Sequence, residues 1–394
     1  MTRYDFDEIV DRSNNDAMKV ERPRKLTGRD DLIPLWVADM DFRTPPFVIN
    51  AIRCKLDRGI LGYPVVPADY QNSIVRWAKR QYDMEVLPGE IHYVPGVVPG
   101  LYFAINAFSS VGDGVLIQPP VYHPFRHAIT GSGRVCLTNE LKFSDGRLEV
   151  DFSDFEQKVS QSKIFILCHP HNPIGQAWSI PVLQRMAEIC RRHGVLVLSD
   201  EIHADMMNGG ARYTPFATVS DDARANSITL MAPSKVFNMP GVVDSHAIVF
   251  DNDLRERFFR YLDDNDVAFG NSFAYDCTIA CYSDEGEEWR RQMLDYVGAN
   301  FDLVQSFLAD KCPKIIPVRP NASFLMWLDC RALGLSQSKL VSFFIDEAGL
   351  YLNDGSMFGA GGEGFMRINV ASPRSIISTA LDRLHQAYLK RAFR

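Results

Sequence analysis

A lysine closes the apolar stretch Ser227-Ile228-Thr229-Leu230-Met231-Ala232-Pro233-Ser234-Lys235. An ammonium at the end of a buried strand must leave water unless something consumes its charge. An aldehyde cofactor does so by forming an imine, which is how a buried lysine becomes a catalyst. Most lysines are solvated, so Lys235 carries this reading only in company. The first companion is Asp200, at the end of Gly194-Val195-Leu196-Val197-Leu198-Ser199-Asp200-Glu201-Ile202-His203. Ligands of open α/β sheets gather at the carboxyl ends of strands. A carboxylate buried there needs a cation, and a protonated pyridine nitrogen is a suitable one. An N-cap for a following helix is the competing account.

Asn172 follows another apolar strand, in Cys168-His169-Pro170-His171-Asn172-Pro173-Ile174-Gly175. Its amide can donate to a phenolate-like ring oxygen, or it can simply occupy a turn. His169 and His171 have no third ligand at a matching spacing, which argues against a metal. In Tyr93-Val94-Pro95-Gly96-Val97-Val98-Pro99-Gly100, glycine precedes a helix start whose free N–H groups suit a phosphate. In Pro119-Pro120-Val121-Tyr122-His123-Pro124-Phe125, Tyr122 either stacks on an aromatic cofactor or packs in the core. Arg367, set between apolar residues in Phe365-Met366-Arg367-Ile368-Asn369, wants a carboxylate, either from a substrate or from an internal salt bridge. Gly359-Ala360-Gly361-Gly362-Glu363-Gly364 matches the dinucleotide fingerprint, but a strand follows it and it reads as a loop. Cys277 and Cys281 read as packing residues.

These residues need elements to hold them. Between about residues 90 and 285, continuous apolar runs (Gly114–Ile117, Ile164–Leu167, Val195–Leu198, Ala247–Phe250) alternate with amphipathic stretches. That pattern predicts a large, doubly wound α/β domain with a mostly parallel sheet covered on both faces. Apolar residues from Trp289 to Leu308 recur at three and four, predicting a long helix from Glu287. Beyond it, a strand at Ser323–Leu328, a helix near Ser336–Ala348, a strand from Phe365 and a helix from Arg374 predict a smaller α+β domain. The N-terminal segment is expected to pack back onto it, making the small domain discontinuous. The expected division is 1–44, N-terminal segment of the small domain; 45–285, large cofactor-binding domain; and 286–394, small C-terminal domain.

A chain of 394 residues with 46% hydrophobic and 23% charged residues can bury such a core. Its net charge of -7 argues against nucleic-acid binding. Eight cysteines without framework spacing read as reduced thiols. An acidic N-terminus and the lack of any apolar run of about 18 residues argue against export or a membrane span. A cytoplasmic protein is expected.

In order, the Gly96 turn, Tyr122, Asn172, Asp200, Ser234-Lys235 and Arg367 resemble the fold-type I pyridoxal-phosphate enzymes, the aspartate aminotransferase superfamily, over nearly the whole chain. Trp36-Val37-Ala38-Asp39-Met40-Asp41-Phe42, Gly62-Tyr63-Pro64, Pro95-Gly96-Val97-Val98, Asp200-Glu201-Ile202-His203, Gly286-Glu287-Glu288-Trp289 and Phe358-Gly359 are similar to the MalY/PatB group of cystathionine β-lyases and cysteine desulfhydrases. The resemblance implies pyridoxal 5'-phosphate bound through Lys235, with Asp200 on its ring nitrogen, Asn172 on its ring oxygen and Tyr122 on its face. His203 stands beside it, where transaminases carry tyrosine. Ser234, the amides of Val97 and Val98, and Tyr63 from a partner subunit would hold the phosphate, implying a homodimer with shared sites. Arg367, with Asn172 and the backbone of Ala38, would bind an amino-acid substrate's α-carboxylate.

The implied reaction is β-elimination of cystathionine or a related S-substituted cysteine, with Lys235 as general base. A class I/II aminotransferase and a non-catalytic regulatory binding role are the alternatives. Three features depart from the family pattern: Val242–Ser245 holds no arginine, Val236 and Pro240 replace the usual Thr and small residue, and Asp244 adds a negative charge.

Overall fold

The computed structural model describes residues 3–13, 15–267 and 269–391. Seven strands form its large sheet: β1 (Ile91–Val94), β2 (Gly114–Ile117), β3 (Val135–Thr138), β4 (Ile164–Cys168), β5 (Leu196–Asp200), β6 (Ser227–Met231) and β7 (Ser245–Ile248). Their spatial order is β1-β7-β6-β5-β4-β2-β3. β7 is antiparallel to β1 and to β6, while all the neighbours from β6 to β3 are parallel.

The strands are apolar on both faces because both are covered. Ile164, Ile166, Leu198 and Leu230 share a core with Leu101 and Ile105 of helix α1 (Val97–Phe108) and with Phe258 and Leu262. The alternate residues Phe165, Leu167 and Val197 pack with Leu183, Met186 and Phe216 on the opposite face. Period-2 alternation therefore sorts residues between two cores instead of between core and water. The Ala247–Phe250 run is only partly strand: β7 begins at Ser245 and ends at Ile248, and Val249 and Phe250 are buried beyond it. An apolar run marks burial, and hydrogen bonding to β1 decides where pairing stops.

Helix α2 (Ala274–Cys281) leads into α3 (Asp284–Lys311), three residues longer at its start than the apolar period indicates. Ser283 caps it by accepting from the Gly286 N–H at 3.1 Å, and Asp284, Glu285 and Glu287 oppose the dipole in its first turn. A four-stranded antiparallel sheet follows, made of β8 (Ile316–Val318), β9 (Leu325–Asp329), β10 (Asn353–Asp354) and β11 (Phe365–Asn369) in the order β8-β9-β11-β10. It shares a core with α3 and with the closing helix α4 (Arg374–Lys390). Phe6, Leu35, Met40 and Phe42 lie in that core too, and Ile33–Pro34 pairs in parallel with Leu350–Tyr351.

Candidate active site

Three adjacent parallel strands end at one edge of the large sheet, and the register Cys168↔Asp200↔Leu230 aligns their tips. From these tips the chain presents Asn172, Asp200 and Lys235 to one cavity of about 210 Å³. Ala38, Gly96, Val97, Val98, Tyr122, His203, Ser234, Pro240 and Asp244 line it as well.

Lys235 sits in a turn closed by the Phe237 N–H on Pro233 O and the Met239 N–H on Ser234 O, each 3.0 Å. Its Nζ donates to the Ala38 carbonyl at 2.9 Å. Burial lowers its pKa, with the Arg367 charge pushing the same way and Asp39 and Asp200 opposing. Asp200 is buried, and its Oδ1 accepts the Ile202 N–H at 3.1 Å. No helix follows it, only a turn, so it caps nothing. Burial pushes its carboxyl up to about 7 against the pull of the Ile202 bond and the Lys235 charge.

Arg367 on β11 reaches the cavity wall from the other sheet. It donates to Asn172 Oδ1 at 2.7 Å, to Trp36 O at 2.9 Å and to Asn353 Oδ1, and it lies 5.0 Å over the Phe358 ring. All three acceptors are neutral, its buried Nε has no partner among the described residues, and burial lowers its pKa to about 10. The guanidinium is therefore desolvated without an anion, which disfavours the internal salt bridge as its purpose. Asn172 gives its carbonyl to Arg367 and keeps its Nδ2–H donors for a ligand.

Gly96 adopts φ +112, a conformation for which side chains are ill suited, and a Cβ there would approach Pro99 Cδ to 3.2 Å. Immediately after it, Val97 and Val98 open α1 with backbone N–H groups that no helical carbonyl can reach. Ser234 is buried on the same wall. Tyr122 is partly buried and packs edge-on to Phe125. Burial lowers the His203 pKa to about 3 and holds the ring neutral, and its Nδ1 has no partner among the described residues. Tyr63 lies outside the cavity, 97% exposed, with its ring 6.4 Å from Phe269. Val236 is buried in the core. The rings of His169 and His171 bond the carbonyls of Thr214 and Pro120. Cys281 packs its Sγ 3.7 Å from Met239 Sδ.

Several contributors escaped the sequence reading. Asn238, three residues past Lys235, accepts from the Met40 N–H at 2.9 Å and donates to Phe42 O at 2.7 Å, fixing the segment that carries Ala38. Its place three residues past the lysine, in Ser234-Lys235-Val236-Phe237-Asn238, is its only signal. Lys19, fully buried, pairs with Asp41 at 2.8 Å and braces that segment from behind. Trp36 acts through its carbonyl, and Asn353 lies in a strand of two residues, so neither has a local signature.

The family model for aminotransferase class I and II matches residues 30–384. The chain is 39% identical over 384 residues to cystathionine beta-lyase PatB of Bacillus subtilis, covering 97% of this chain and 99% of that protein. Cystalysin from Treponema denticola, whose crystal structure contains a pyridoxal 5'-phosphate cofactor, superposes at TM-score 0.95 and 32% identity over 99% of this chain and 100% of that one. The PLP-bound C-S lyase from Staphylococcus hominis superposes at TM-score 0.91 and 32% identity over 98% of this chain and 99% of that one.

Proposed function

This chain belongs to the aminotransferase class I and II family, and from that premise we propose that it is a pyridoxal 5'-phosphate-dependent carbon–sulfur lyase. It eliminates the sulfur substituent of cystathionine or a related S-substituted cysteine to yield pyruvate, ammonia and a thiol. One observation carries the reading: a primary amine on Lys235 and a buried carboxylate on Asp200 face the same cavity, with the anion-free guanidinium of Arg367 behind it. The donor set fits the cofactor. An amine bonded only to a carbonyl is available to an aldehyde, a buried acid forms no ion pair among the described residues, and a helix start presents free N–H groups.

When bound, the cofactor supplies an electron sink conjugated to the substrate's Cα. Lys235 would hold it covalently and then, with its pKa lowered, take the Cα proton as general base. Asp200 would keep a proton on the ring nitrogen, and Asn172 would donate to the ring oxygen from Nδ2. Tyr122 would cover one ring face, and His203 stays uncharged beside it. The Val97 and Val98 amides and the Ser234 hydroxyl would hold the phosphate. Arg367 would receive the substrate's α-carboxylate, and the Ala38 carbonyl directs Nζ into the cavity.

The assay follows from the products: pyruvate and thiol released from cystathionine and cysteine, against keto-acid-dependent amino transfer. Lys235→Ala is expected to abolish thiol release and the cofactor's visible absorbance. Amino transfer without thiol release would replace the lyase by the aminotransferase reading.

We further infer a homodimer in which Tyr63 completes the partner's phosphate site. Its exposure beside Ile60, Leu61 and Val65, 60–84% exposed, supports this, since such apolar surface calls for a cover. Cysteine desulfhydrase activity belongs to the same chemistry, with hydrogen sulfide released in place of a thiol. Cysteines left unpaired and mostly buried favour a cytoplasmic setting. The division into 1–44, 45–285 and 286–394 is supported by the pairing of Ile33–Pro34 with Leu350–Tyr351.

A further inference from the structure

Asp244 lies in the cavity wall, and the lyase chemistry assigns it no task. It immediately precedes β7, is 2% exposed, and shares the wall with Gly96, Val97, Val98 and Ser234. Its Oδ2 accepts the Thr278 hydroxyl, while its Oδ1 is buried without a hydrogen-bond partner among the described residues. The titratable groups packed against it are neutral acids. Tyr70 comes from the helix Ala68–Tyr82, Tyr93 from β1, Tyr275, Cys277 and Cys281 from α2, and Tyr282 from just beyond α2, each held above its ordinary pKa by burial first, with Asp244 adding to the shift. Lys235 and Asp200 face the same cavity, but the Lys235 amine is bonded to Ala38. The segment Val242–Ser245 has no arginine.

A phosphate drawn to the start of α1 would meet an ionised Asp244 as a like charge in a desolvated wall, a costly arrangement. A protonated carboxyl there becomes an O–H donor to the same phosphate. We propose that Asp244 is a protonated carboxylic acid that donates a hydrogen bond to the cofactor phosphate, in place of a basic residue. The proposal rests on the cofactor assignment above. Burial already holds the carboxyl up at about 7, against the Thr278 bond, and a neighbouring dianion raises it further. The sign follows from linkage. Above the free protein's value the aspartate must regain a proton to receive the phosphate, so the dissociation constant rises by about tenfold per pH unit until the bound form's value is reached.

The test is titration of the cofactor-free protein with pyridoxal 5'-phosphate and with pyridoxal from pH 6.5 to 8.5, read by fluorescence, for the natural chain and Asp244→Asn. The amide keeps a donor and cannot ionise. Affinity for the phosphate form is expected to fall more steeply in the natural chain, by on the order of tenfold across this range, and the two proteins should share one profile for pyridoxal. Parallel profiles for the phosphate form overturn the proposal and leave the lyase reading standing. No binding of either ligand to the natural chain at any pH overturns both. Calorimetry of the natural chain at pH 8, in buffers of different ionisation enthalpy, checks the idea without a variant. Proton uptake with the phosphate form in excess of that with pyridoxal supports it, and equal uptake overturns it.

Discussion

Arg367 keeps a full positive charge in a buried wall with only neutral acceptors around it. Three hydrogen bonds and the Phe358 ring hold such a group in place, and it gains most when a carboxylate arrives. Arg367→Lys is expected to raise KM by on the order of 10- to 100-fold, because a single ammonium cannot span both carboxylate oxygens; charge-assisted bonds of this kind are worth about 1.5–3 kcal/mol. Its kcat should change less, and steady-state kinetics separates the two. Arg367→Ala should also lower the melting temperature, since the Asn172, Asn353 and Trp36 oxygens lose their donor at about 1–3 kcal/mol each. Lys235 and Arg367 were legible in the sequence because charge amid apolar neighbours is a conflict that chemistry must resolve. Asn353 was not, because an asparagine between a leucine and an aspartate raises no such conflict.

At the level of elements, the site depends on where strands stop and helices begin. The tips of β4, β5 and β6 coincide because these strands pair in parallel and in register. The start of α1 is aimed by Gly96 at φ +112. Gly96→Ala is expected to cost about 1–3 kcal/mol of backbone strain and to tilt the Val97 and Val98 amides. Cofactor titration should then show affinity reduced by one to two orders of magnitude, with circular dichroism unchanged. The long helix α3 shows how element ends escape a periodicity argument. Its apolar stripe begins at Trp289, yet Ser283 and the acids of the first turn carry the helix back to Asp284, a capping signal readable from residue chemistry alone.

For the whole molecule, the proposed dimer makes each site a composite of Lys235 from one subunit and Tyr63 from the other. Tyr63→Ala should weaken cofactor affinity without touching the base. The decisive experiment mixes two poorly active variants, Lys235→Ala and Tyr63→Ala. Subunit exchange would unite an intact lysine with an intact tyrosine in one site of each mixed dimer, and thiol release should recover toward a quarter of the natural activity in an equimolar mixture, about half the dimers being mixed and each holding one intact site. No recovery despite demonstrated exchange would show that Tyr63 serves its own subunit or none. The segment carrying Ala38 is braced by Asn238 and by the Lys19–Asp41 pair, so contacts distant in sequence meet beside the Lys235 amine.

Sequence alone determined the residues whose chemistry is out of place in their surroundings: a lysine and an aspartate at strand ends, an arginine inside a strand, a glycine before a helix. It also determined the alternation that makes a doubly wound sheet, since a local pattern of apolar runs and helical periods is dictated by neighbours along the chain. Only the tertiary structure decided which acceptors hold Arg367, that Ala38 receives the Lys235 amine, and that Asp244 faces the same cavity as the α1 amides. Those relations join residues up to 331 positions apart. They depend on the packing of two sheets and an N-terminal segment, and no spacing in the chain encodes them.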